Sequence, residues 1–223
     1  MSLRIAIVMD PIANITPYKD TSFALCLEAQ RRGYHIDYIE MQDLYIDNGV
    51  PYAKTQSLQV TDQNEDFYTL GDSKVQPLAN FDALLMRKDP PVDDQFIYAT
   101  HIFSLAEKLG VLVVNKSQAL RDFNEKLFTA YFPELIPDTL VTRDKALAKA
   151  FHAKHHDIIC KPLDGMGGAS IFRIKEDANN LGVVIETLTH NGEKLAMFQR
   201  YLPAIKDGDK RILIVNGEVM EYC

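Results

Sequence analysis

The sequence predicts an α/β fold in two parts, a parallel-sheet domain followed by a smaller α+β domain. Three observations carry that expectation. The first forty residues read strand–helix–strand, the alternation of strands and helices ends near residues 118–124, and 223 residues that are 47% apolar suffice for one large core or two modest ones. Charge adds an exclusion. Lys and Arg number 24 against 31 Asp and Glu, a net charge of −7, and they are spread along the chain, which leaves no electrostatic footprint for a nucleic-acid partner. No apolar run approaches the length of a membrane span, and Asp10 interrupts an N-terminal stretch too short for a secretory signal. Cys26, Cys160 and Cys223 are widely separated and form no Cys-x-x-Cys pair, so a cytoplasmic protein is expected.

Residues 4–9 are apolar and β-branched without alternation, as in a strand buried on both faces of a parallel sheet, and the strand stops at Asp10-Pro11. From Asp20 or Thr21 an amphipathic pattern turns Phe23, Ala24, Cys26 and Leu27 inward and Glu28, Arg31 and Arg32 outward, ending at Gly33. Residues 34–39 make the second strand, and a helical crossover of this kind implies parallel pairing. Residues 44–77 read as an antiparallel excursion at the sheet edge, with turns at Asp47-Asn48-Gly49 and Gly71-Asp72. Residues 81–86 form the next central strand and deliver Arg87, Lys88 and Asp89 to its end, before Pro90-Pro91. A helix over 94–109 closed by Gly110, a strand over 111–114 and helical stretches over 117–122 and 124–132 follow.

Beyond the boundary the pattern predicts a helix over 145–155, a strand over 157–162, a glycine-rich loop, a strand over 170–175, a helix over 179–189 and a strand over 194–200. Residues 211–215 and 218–222 flank Asn216-Gly217, a strong hairpin signal. A lone hairpin is marginal in water, so the chain is expected to be the first part of something longer.

The chemistry concentrates in the run from Lys161 to Arg173 (KPLDGMGGASIFR). Gly165, Gly167 and Gly168 let a backbone wrap closely around an anion and aim its N–H groups inward. A Walker loop needs Gly-Lys-[Ser/Thr] opening a helix, and a dinucleotide fold needs its glycines after the first strand of a βαβ unit; here strands are expected on both sides. A glycine-tipped hairpin beside a strand-borne lysine fits, and so does a plain mobile turn. Gln199-Arg200-Tyr201-Leu202-Pro203 leaves a strand for irregular chain, where backbone groups can meet a flat heterocycle or merely link domains. Lys126 opens a helix near the boundary and faces either solvent or a cleft. His152, His155 and His156 read as a solvated helix face, and the odd spacing of Glu218 and Glu221 makes them poor joint metal ligands, so no metal ligand is assigned.

Five segments together resemble the bacterial glutathione synthetases of the ATP-grasp superfamily: VMDPIANI (8–15), MRKDPP (86–91), LRDFNEKL (120–127), KPLDGMGGASIFR (161–173) and QRYLPAIKDGDKRI (199–212). The resemblance runs nearly end to end and is specific when the segments are taken jointly. It implies a pre-ATP-grasp substrate domain with a parallel sheet over 1–122, a central lid domain over 123–200 and the start of the C-terminal ATP-grasp domain over 201–223, that domain being incomplete. It implies that Lys126 and Lys161 contact the nucleotide, that Gly165, Gly167, Gly168 and Ser170 belong to a phosphate-covering loop, that Gln199, Tyr201 and Leu202 frame the adenine, and that Asp209 reaches the ribose. Arg87 and Arg211 would hold the substrate carboxylate or its acyl phosphate. The implied reaction joins γ-glutamylcysteine to glycine with ATP and Mg²⁺, the metal ligands lying beyond residue 223, in an enzyme that assembles as a homotetramer; this stretch alone is expected to be inactive. Two alternatives stay open: another ATP-grasp carboxylate–amine ligase, and a non-catalytic nucleotide-binding module.

Overall fold

A computed structural model describes residues 2–221, and by contacts they divide into two units: the residues up to Phe128 with Asp164–Gly167, and Thr129–Leu163 with the residues from Gly168 onward. In the first unit, β1 (Arg4–Val8) leads through α1 (Thr21–Arg31) to β2 (His35–Ile39), and the antiparallel strands β3 (Leu44–Asp47), β4 (Val50–Val60) and β5 (Tyr68–Pro77) follow. Then come β6 (Ala83–Met86), α2 (Asp94–Lys108), β7 (Leu112–Val114) and the short α3 (Ser117–Asp122). The strands form one sheet in the order β3-β4-β2-β1-β6-β7, with β5 on the free side of β4. β1 lies at its centre and pairs in parallel with β2 and β6, so that Val8 stands opposite both Ile39 and Met86.

The unbroken apolar run of β1 has the predicted cause. Ala6 and Val8 pack with Leu84, Phe96 and Phe103 on the α2 side, while Ile7 and Met9 pack with Phe23, Cys26 and Tyr38 on the α1 side. Full burial of each large side chain is worth about 1.5–3 kcal/mol. Both helices start on an aspartate cap: Asp20 accepts from the Phe23 N–H and Asp93 from the Phe96 N–H.

Three expectations need correction in this unit. Ala24 is exposed, because one residue beyond Phe23 the helix has turned about 100° away from the core. Gly71-Asp72 is no turn: β5 runs straight through it, and the chain reverses at 61–67, where the Thr61 N–H reaches the Phe67 carbonyl. The glycine answers a close approach at the bulge between Gln56 and Leu58, since a Cβ on Gly71 would sit 2.2 Å from Ser57 Oγ. Residues 124–132 do not form the expected helix; Asn124 Oδ1 caps the Lys126 and Leu127 N–H groups and a 3₁₀ turn spans Leu127–Tyr131.

The second unit contains β8 (Thr139–Thr142), α4 (Lys145–His155), β9 (Ile158–Pro162), β10 (Phe172–Ile174), α5 (Leu181–Leu188) and β11 (Ala196–Arg200). β8 has no counterpart among the predicted elements. The four strands pair antiparallel in the order β10-β9-β11-β8. Residues paired across antiparallel strands share a face, so Ile158, Cys160, Ile174, Ala196 and Phe198 point together toward α4 and α5, where they form that unit's core. His155 joins this side, against expectation: its side chain is 6% exposed, and its ring lies 4.4 Å from that of Phe151 and beside Asp138. The spacing Ala148, Phe151, His155 follows the inward stripe of α4 and carries the imidazole in.

A two-stranded hairpin, β12 (Ile214–Val215) and β13 (Glu218–Val219), turns on Asn216-Gly217. It is shorter than predicted, and Arg211 stands outside it; Tyr222, assigned to its second strand, lies outside the described residues. Its length fits a ribbon whose Ile214, Val215 and Val219 are all exposed.

Candidate active site

In the first unit, two of the segments singled out in the sequence meet in space. Residues 8–15 and 86–91 leave β1 and β6 side by side at the C-terminal ends of parallel strands, the edge at which open α/β sheets place ligands. The Asp10 carboxylate ties them together: it accepts from the Asp89 N–H at 2.8 Å and pairs with Lys88 Nζ at 2.7 Å. Arg87 is half-buried, its N–H reaches the Val8 carbonyl at 2.7 Å, and its Nε donates to the buried Ser22 hydroxyl at 3.1 Å. Among the described residues its two terminal guanidinium nitrogens have no hydrogen-bond acceptor. Lys126, whose side chain is 13% exposed, donates to the Gly165 carbonyl and to Glu125 at 2.6 Å each.

A cleft of about 820 Å³ in this unit, lined by Arg4, His35, Asp37, Lys74 and Gln76 among others, contains none of the predicted site residues. The buried Asp37 carboxylate there is satisfied by Arg4, Thr55, Lys74 and Gln76. Its polar groups answer one another, as a strand-pairing network does, and we give it no catalytic role.

β9 and β10 of the second unit flank the glycine segment as an antiparallel pair, residues 164–167 of that segment being grouped with the first unit. Gly167 and Gly168 have φ of 64° and 79°, and a Cβ on either would meet nothing within 4 Å. They are glycines for backbone conformation, not for packing. Ser170, exposed like its neighbours, shares the left-handed region at φ 57°.

Register also defines the face turned away from α4 and α5. Lys161 stands opposite Met197, and Gln199 opposite Ile159 and Thr139, so Lys161 and Gln199 share this face. Gln199 Nε2 donates to Thr139 Oγ1 at 2.9 Å. The Tyr201 N–H reaches the Asp157 carbonyl at 2.9 Å, which extends the β9–β11 ladder and keeps Tyr201 on the same face as Gln199. Lys161 stands opposite Met197, four residues before Tyr201 along β11, so the Lys161 and Tyr201 positions are about 13 Å apart at the usual strand rise. Leu202 is exposed just beyond. Asp209 and Arg211 stand on irregular, exposed chain between the 3₁₀ turn Pro203–Asp207 and the hairpin, apart from the sheet that carries Lys161, Gln199 and Tyr201.

Sequence reasoning did not single out Ser22, Asp10, Asp157 or Arg173. The last two are an ion pair, and the Arg173 guanidinium holds the Asp157 carboxyl below its usual range. The only available signal was Arg173 closing the glycine segment. Cys160, next to Lys161, is fully buried in the core of its sheet, and that burial pushes its thiol up to about 12.

Comparison with known proteins identifies the family. The N-terminal-domain model of prokaryotic glutathione synthetase matches residues 3–121, and the ATP-grasp-domain model of the same family matches 125–223. The glutathione synthetase of Escherichia coli O127:H6 is 60% identical over 221 residues, covering 99% of this chain and 70% of that protein. That of Salmonella typhimurium is 59% identical over the same shares. Among solved structures, a D-cycloserine synthetase aligns with 91% of this chain and 60% of its own at a TM-score of 0.60 and 15% identity, a likeness of fold alone. A parallel-sheet domain, a glycine segment between the antiparallel β9 and β10, family models spanning nearly every residue and relatives at 60% identity lead to one assignment: the chain belongs to the prokaryotic glutathione synthetases, ATP-dependent ligases of the ATP-grasp fold.

Proposed function

We propose that the reaction served by this chain joins the cysteinyl carboxylate of γ-glutamylcysteine to the amine of glycine through an acyl phosphate. A carboxylate has no leaving group at neutral pH, so attack on the γ-phosphate of ATP must come first, and glycine then displaces phosphate. What the protein supplies is position and cancellation of charge on the transferring oxygens.

On this reading Lys161 and Lys126 neutralise the triphosphate, the N–H groups of residues 165–170 cover it, and Gln199, Tyr201 and Leu202 frame the adenine, with Asp209 at the ribose. The common sheet face of Lys161, Gln199 and Tyr201 supports this and is the observation that carries it. Arg87 holds the acid substrate: its Nε is fixed on Ser22, which aims the remaining donors of a planar, bidentate group. Arg211 would serve the same carboxylate or its acyl phosphate. The exposed glycine segment suits a lid that keeps water from the acyl phosphate. Residues 1–122 would then serve the acid substrate, 123–200 the lid, and 201–223 would belong to the C-terminal ATP-grasp domain.

Magnesium is the expected companion of ATP. Among the described residues no group of three or more His, Cys, Asp or Glu could hold a metal ion, so none is assigned to it and no step runs through it. Among them, too, no helix is long and apolar enough to cross a membrane. A cytoplasmic homo-oligomer is part of the proposal.

The test is phosphate release by the full-length protein supplied with ATP, γ-glutamylcysteine and glycine, each omitted in turn and each replaced by other acids and amines. Release that needs both named substrates supports the reading. Equal turnover with an unrelated acid would transfer it to another carboxylate–amine ligase.

A further inference from the structure

Asp157, Arg173 and Tyr201 meet across three adjacent strands of the second unit. Arg173 stands opposite Ile159 in the β9–β10 ladder, so Asp157 is its diagonal neighbour on the same face, and Tyr201 lies beside Asp157 in the extended β9–β11 ladder. The arginine grips the carboxylate with two parallel bonds, Nε to Oδ1 at 2.9 Å and Nη2 to Oδ2 at 2.6 Å. Its guanidinium carbon lies 3.5 Å from the centre of the Tyr201 ring. A planar group that pairs bidentately in its own plane and stacks through its face does both at once, which the point charge of a lysine cannot.

The placement of these residues makes the contact more than a surface ion pair. Arg173 sits in the strand by which the glycine segment re-enters the sheet, two residues after Ile171, whose N–H closes a turn on the Gly168 carbonyl at 3.4 Å. Tyr201 is the point at which the chain leaves the sheet toward Leu202. One guanidinium is thus fixed to the exit of the loop and to the ring that opens the next segment.

We propose that Arg173 is a positioning residue for the nucleotide: clamped by Asp157, it holds Tyr201 and Leu202 at a set distance and angle from the strand leaving the glycine loop, so that the base side and the phosphate side of the site form one frame. This rests on the reading of residues 199–202 as the segment that frames the base.

The experiment is a pair of calorimetric titrations of the full-length protein, with ATP and with inorganic tripolyphosphate, which has no base, together with steady-state kinetics. The variants are Arg173→Lys and Tyr201→Ala. For Arg173→Lys, ATP affinity should fall roughly tenfold while tripolyphosphate affinity holds, with the KM for ATP rising and kcat staying within about twofold. Equal weakening of both ligands, or no loss for ATP, would overturn the inference. Weak ATP binding by Tyr201→Ala beside unchanged Arg173→Lys would overturn the inference alone, whereas unchanged ATP binding by Tyr201→Ala would overturn the base-framing reading and the inference with it. If Arg173→Lys does not fold, Asp157→Asn, which frees the guanidinium from its bidentate partner, carries the same expectations and the same overturning results.

Discussion

The sheet of the first unit has a hydrophobic cluster on each side, with α1 behind one and α2 behind the other, whereas the sheet of the second unit packs α4 and α5 on one side only. Side chains alternate along every strand, so this difference decides where chemistry can be placed. In the first unit the groups available to a ligand are pushed to the strand ends, where Asp10, Arg87 and Lys88 gather. In the second, Lys161, Gln199, Tyr201 and Arg173 stand on the face turned away from those helices, together with the buried Met197.

Core truncation is the most severe way to probe that contrast. Phe103 and Phe198 are both fully buried, one against the first sheet and one on the wrapped side of the second, and each change to alanine should cost about 3–5 kcal/mol in urea unfolding. A cost under about 1 kcal/mol for Phe198→Ala would mean that the second sheet has no true core side. On its other face, Lys161→Ala should weaken ATP binding by about 1–3 kcal/mol, the scale of a lost charge-assisted hydrogen bond. Unchanged affinity in a calorimetric titration would take Lys161 out of the site.

Helix caps give a smaller and sharper comparison. Asp93 caps α2 and Asp144 caps α4, and alanine at either should lower stability by about 1 kcal/mol, since each leaves helix-end N–H groups without an acceptor. If the second unit is held mainly by its single core, Asp144→Ala should move its unfolding transition and leave the first unit's in place.

The slightest expected effect concerns the thiols. Cys26 and Cys160 lie in the cores of the two units, and burial pushes both up to about 12. The folded protein therefore keeps these protons over a range of pH in which the unfolded chain releases them, so stability falls as pH rises from the ordinary thiol range toward 12. Near neutral pH neither thiol should react with iodoacetamide until urea is added. Alkylation of native Cys160 at the rate of a free thiol would show that the wrapped side of the second sheet opens readily.

Legibility followed the range of the interactions. The gapless apolar run of β1, the helix limits near Gly33 and Gly110, and the glycine segment between strands are local patterns and could be read directly. β8 could not, because four residues between Pro137 and Asp144 are too few to display a period. Gly71 resembled a turn because composition cannot distinguish a glycine needed for φ from one needed for space, and only the bulge facing Ser57 separates the two. The inward His155 was hidden for a related reason: three histidines within five residues suggest a polar face, and only the stripe through Ala148 and Phe151 shows which of them turns in.

Composition and local order by themselves determined the two-part α/β plan, and five segments taken jointly carried the family resemblance. Pairing across distant strands decided the rest: that residues 8–15 and 86–91 share an edge, that Lys161, Gln199 and Tyr201 share a face, and that Arg173 closes on Tyr201. Helical and turn preferences act within a few residues, whereas strand register depends on which apolar surfaces can be buried together, and that is settled only when the whole sheet forms.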